Sequence, residues 1–60
     1  MFEKVWKICE ERGINMYQLS IGTGIAYANI HCYVNGKRKP KLENLRKMAE
    51  FLKVELSEII

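Results

Sequence analysis

Ile25-Ala26-Tyr27-Ala28-Asn29-Ile30-His31-Cys32-Tyr33-Val34-Asn35-Gly36 runs straight into Lys37-Arg38-Lys39-Pro40-Lys41. Ile30, Tyr33 and Val34 stand at i, i+3 and i+4, so a helix over about 26–34 turns one stripe inward. Tyr27, Ala28, His31 and Cys32 then lie on other faces, and none of them carries a fixed charge. Gly36, after Asn35, ends such a helix because glycine takes a left-handed turn without a Cβ penalty. Beyond it come four cations in five residues. An uncharged helix face ending in concentrated positive charge suits a helix presented to a polyanion. The plainer alternative is a core helix followed by a solvated basic loop.

Upstream, Phe2, Val5, Trp6, Ile8 and Cys9 fall on or beside one stripe and predict a helix over about 2–12, which Gly13 ends. Asn15 opens a second, short helix, with Gln18 at the spacing of a capping box and Leu19 as its main inward residue. Gly22-Thr23-Gly24 predicts a turn. Downstream, Pro40 breaks the chain. Leu42, Leu45, Met48, Ala49 and Leu52 then give the clearest amphipathic pattern, a helix over about 41–52. Val54, Leu56, Ile59 and Ile60 predict a short fifth helix. No segment alternates with period two, and no repeat or low-complexity linker divides the chain. The expected fold class is all-α, a compact five-helix domain.

Sixty residues make one domain, near the lower size at which a core holds without staples. No apolar run approaches the ~18 residues of a membrane span, and no signal-peptide pattern opens the chain, so the expected location is the cytoplasm. Cys9 and Cys32 are too few for a disulfide framework and, with one distant histidine, form no metal cluster. Both are expected as free thiols, Cys9 buried and Cys32 partly exposed. No cofactor and no small-molecule ligand are expected. The net charge of +3 is unevenly spread. Between Arg12 and Leu42 there is no acidic residue, while Arg12, Lys37, Arg38, Lys39 and Lys41 all fall in that interval. The two flanks are each slightly negative, which would turn one side of a small protein toward phosphate.

Two short helices joined by a glycine-containing turn, the second followed by a basic loop, form a helix-turn-helix pattern over about 15–35. Over residues 4–60, without a gap, the chain resembles the lambda-repressor and Cro-like helix-turn-helix family, also called the XRE family. The landmarks are Gly13, Leu19, Gly24, Ile30, Tyr33, Asn35-Gly36-Lys37, Pro40, Leu42, Leu45, Ala49, Leu52, Val54, Leu56 and Ile59.

The resemblance implies a third helix lying in the major groove of double-stranded DNA, with Tyr27, Ala28 and Cys32 at the base-reading positions. Asn29 is a further candidate for a base or a phosphate. Ala28 offers a methyl contact to thymine, Tyr27 a ring and hydroxyl, Cys32 a weak donor; none is the usual bidentate reader of guanine or adenine. For Cys32, plain surface filling weighs equally. Phosphate contacts are expected from Asn15, Tyr17, Asn35, Lys37, Arg38 and Lys39. The family's usual glutamine at the start of helix two is Met16 here, and His31 is expected as a neighbour of solvent or phosphate.

Other positions depart from the family pattern. A buried arginine–glutamate pair common in the family is replaced at both ends, by Cys9 and Val34, and joint loss of a buried pair is often neutral or stabilising. Ala26 and Lys41 stand where a serine or threonine N-cap is usual. Thr23 replaces an apolar residue and Lys53 a glycine, so a loose turn between helices two and three and modest stability are expected. With the sequence stopping at the fifth helix, the expected protein is a Cro-type or small phage-borne or mobile-element transcriptional regulator. It would bind a palindromic operator as a homodimer, with Phe51, Leu56, Ile59 and Ile60 as candidates for the subunit surface; plain core is the alternative for these residues, first for Leu56 and then Ile59, and Ile60 is the better interface candidate. The alternative is an antitoxin-like or anti-repressor-like protein-interaction module, whose third helix contacts a protein. An enzyme is not expected, since no paired carboxylates, nucleophile with a base or phosphate loop occur.

Overall fold

Apolar side chains repeating at helical spacing must find a common interior, and in so short a chain one interior has to serve every helix. The computed structural model describes residues 2–60. It contains α1 (Glu3–Glu11), α2 (Met16–Thr23), α3 (Tyr27–Val34) and α4 (Leu42–Leu52), followed by one 3-10 turn at Leu56–Glu58. No strand occurs among the described residues. Val5 and Cys9 of α1, Leu19 of α2, Ile30 and Tyr33 of α3 and Leu45, Met48, Ala49 and Leu52 of α4 meet in one core, with Phe2, Ile25 and Ile59. Each such large aliphatic contributes ~1.5–3 kcal/mol by burial.

The all-α class and the first, third and fourth helices agree with the sequence reading; other details differ. Helix α2 continues through Gly22 and Thr23, and only Gly24, at φ 75°, forms the turn. Gly22 lies inside the helix, and the ring of Phe51 occupies the space where a side chain would stand: a Cβ there would collide with Phe51 Cε1. Phe51 is therefore an α2–α4 packing residue, half-buried against the core. Of the residues expected at a dimer surface, Ile59 is fully buried and leaves that list, whereas Ile60 is 56% exposed.

Leu42, predicted to point inward, is the first residue of α4 and is 52% exposed, and the buried stripe of that helix begins at Leu45. The fifth helix is a single 3-10 turn, in which residues three apart eclipse, so Leu56 and Ile59 both face the interior within one turn. Val34 packs on the core that contains Cys9, and no polar or charged residue is buried among the described residues, so apolar packing fills the interior.

The turn between α2 and α3 is cross-braced, where a loose one was expected. The Thr23 hydroxyl donates to Leu19 O at 2.6 Å and accepts from Ile25 N at 3.3 Å. The Ser20 hydroxyl donates to Ile25 O, also at 2.6 Å. The polar residue that departs from the family pattern is thus the one that ties the turn. Lys53, by contrast, ends α4 in a left-handed conformation at φ 58°. Replacing Lys53→Gly is expected to raise stability by about 1 kcal/mol in chemical denaturation, since glycine has no Cβ to crowd the backbone in that left-handed conformation. Gly22→Ala is expected to cost ~1–3 kcal/mol through overpacking. Most of that cost should vanish in a Phe51→Val background, as a double-mutant cycle would read out.

Candidate nucleic-acid interface

The geometry of α2 and α3 decides what the basic loop accompanies. Asn15 caps α2: its Oδ1 accepts from Gln18 N at 2.8 Å, and its own N donates to Gln18 Oε1 at 2.9 Å. Its Oδ1 is committed to the helix, which leaves Nδ2 as its free donor. Tyr17, in the first turn of α2, is 65% exposed. Ile21, one turn later and 67% exposed, was not singled out from sequence. It joins Tyr17 at i, i+4 spacing on the outer face of α2, and that spacing was the available signal.

On α3, Tyr27 and Ala28 are exposed, and Asn29 and Cys32 are half-buried. Neither Ala26 before α3 nor Lys41 before α4 supplies a side-chain cap, as the sequence indicated. Tyr27, His31 and Asn35 form a ladder at successive fourth positions. The Tyr27 and His31 rings stand 6.4 Å apart, and Asn35 Nδ2 lies 3.0 Å from His31 Nδ1. Tyr33 is held from the other side, its hydroxyl accepting from Asn44 Nδ2 at 2.8 Å and its ring 5.6 Å from that of Phe2. Helix α3 is therefore fixed to α4 and to the segment leading into α1.

After α3 the chain doubles back. Lys37 N and Arg38 N both point at Cys32 O, at 2.9 and 3.4 Å. Arg38 Nη1 then donates to Asn29 Oδ1 at 3.3 Å, so the loop and the first turn of α3 share a contact. Lys37, Lys39 and Lys41 are exposed, and among the described residues none of them is held in an ion pair. An open groove of about 510 Å³ separates this loop from α1; Trp6 and Tyr33 line it together with Arg38 and Lys39.

Arg12 does not belong to this basic side. Its Nη1 donates to Leu52 O at 2.6 Å, at the C-terminal end of α4, where a cation complements the helix dipole. The basic loop precedes the other end of α4, about 16 Å away along an eleven-residue helix.

No helix among the described residues is long and apolar enough to cross a membrane, and no group of three or more metal-ligating side chains occurs there. Both cysteines are free thiols; Cys9 is fully buried, and burial pushes its pKa up, so it stays neutral around pH 7.

The sequence pattern of the Cro/C1-type helix-turn-helix DNA-binding domain matches residues 4–60. The chain is similar to the cryptic phage CTXphi transcriptional repressor RstR of Vibrio cholerae, at 30% identity over 57 residues. That alignment covers 95% of this chain and 51% of the relative, so the chain spans about half the length of the curated relative it matches. No solved structure matches it.

On the folded protein, a thiol-alkylating reagent is expected to modify Cys32 and spare Cys9. Saturating double-stranded DNA should slow the labelling of Cys32; an unchanged rate would remove Cys32 from the interface.

Proposed function

The chain belongs to the family of Cro/C1-type helix-turn-helix DNA-binding domains, and from that membership we propose that it is a sequence-specific transcriptional regulator that acts by occupying operator DNA. Helix α3 enters the major groove, with Tyr27, Ala28 and Cys32 toward base edges. Lys37 and Lys39 meet phosphates beside it, together with Asn15 and Tyr17 from the start of α2. Asn35, whose amide is engaged with His31, contributes from the end of α3. The protein works in the cytoplasm, as a dimer on a palindromic site, and exposed Ile60 is the residue left for a subunit contact.

One observation carries this reading. The exposed, uncharged face of α3 lies beside a loop whose lysines have no ion-pair partner among the described residues. Clustered lysines lose hydration against an ordinary protein surface but release condensed counterions at a nucleic-acid backbone. The similarity to a phage transcriptional repressor of Vibrio cholerae supports repression as the direction of control.

Selection from a random-sequence DNA library, repeated at two salt concentrations, tests the proposal. The expected result is an enriched palindrome with half-sites about one helical turn apart. A Lys37→Ala/Lys39→Ala variant should select the same sequence with a salt slope smaller by about 2. Salt-sensitive binding without enrichment would overturn sequence-specific regulation. No binding at low salt would overturn the DNA reading and favour a protein-interaction module.

A further inference from the structure

Sequence-specific binding needs a group that can tell base pairs apart, and the outer face of α3 is poorly supplied with them. Tyr27, Ala28 and Cys32 provide one hydroxyl, one methyl and one thiol. No arginine, lysine or glutamine lies within Tyr27–Val34. Arg38, however, is brought to the first turn of α3 from outside the helix. The two amides after Gly36 converge on Cys32 O, which turns the chain back along α3. The side chain of Arg38 then reaches Asn29, nine residues earlier and in the first turn of α3.

Guanidinium carries five N–H donors in a rigid planar fork. One of them is used on Asn29 Oδ1, which restricts the rotation of the fork and leaves the others free. A fork restrained in this way has the geometry that pairs with guanine O6 and N7. The Asn29 amide points its oxygen at Arg38, so Asn29 serves the arginine before it can serve a base.

We propose that Arg38 is a specificity-determining residue that reads a guanine edge in the major groove, and that Asn29 is its positioning residue. This rests on the DNA-regulator reading above and moves Arg38 from the phosphate-binding loop to the reading surface. Lys37 and Lys39 have no such tether and stay on phosphates.

The test compares the wild-type protein with Arg38→Ala, Arg38→Lys, Asn29→Ala and Asn29→Asp. Each is selected against a random DNA library, and each is titrated with sites differing only at the selected guanines. The wild type is expected to select a guanine in each half-site and to prefer it by about tenfold or more. Arg38→Ala and Arg38→Lys should lose that preference, with Arg38→Lys keeping the wild-type salt slope. Asn29→Ala should reduce the preference severalfold at an unchanged salt slope, and Asn29→Asp, which keeps an acceptor for the guanidinium, should restore it.

If Arg38→Lys keeps the guanine preference, or Arg38→Ala weakens all sequences alike, Arg38 is a phosphate contact. The proposal then fails while the regulator reading stands. If the wild type selects no sequence, both fail together.

Discussion

Where α3 points is decided over the three residues between Thr23 and Tyr27. Ser20, Thr23 and Ile25 exchange hydroxyl and backbone hydrogen bonds across that interval, and Gly24 supplies the left-handed turn. A helix of eight residues has little stability of its own, because nucleation is costly and few bonds follow it. Helix α3 persists because Ile30 and Tyr33 are buried against its neighbours and because α2 hands the chain over at a set angle. The exposed face, the doubled-back loop and the Arg38–Asn29 contact all inherit their placement from that angle.

Most of the frame was legible because it rests on apolar periodicity, which one core reads out uniformly. The α4 pattern of Leu45, Met48, Ala49 and Leu52 could have been satisfied in few other ways. The misreadings share a cause: they concern residues whose role depends on something distant in sequence. Gly22 looked like part of a turn until Phe51, far along the chain, was seen to fill its missing side-chain space. Ile59 resembles an interface residue in sequence because periodicity alone cannot tell the core from a surface waiting for a partner. Arg12 falls with the basic loop by its place in the chain, yet its partner is the last carbonyl of α4.

The candidate interface was legible in outline for a different reason. The cluster around Lys37–Lys41 is a local fact, and no fold could disperse it. What sequence could not convey was which of those cations is tethered. Arg38 and Lys39 are adjacent and chemically related, but only the guanidinium of Arg38 finds an acceptor on α3. The replacement of an ion pair by Cys9 and Val34 belongs with this contrast. Apolar packing holds the interior, which leaves charge to the surface, where it is sensitive to salt and available to partners.

Trp6 gives the molecule an optical property. It is the one tryptophan in the chain, and it is half-buried in the wall of the groove whose other side carries Arg38 and Lys39. Its emission therefore originates at the seam between the core and the basic loop, with the ring of Phe2 6.2 Å away. Changes in how that loop is solvated alter the surroundings of the indole directly. The protein thus carries an intrinsic fluorophore beside its most highly charged segment, and the loop can be followed in solution without a label.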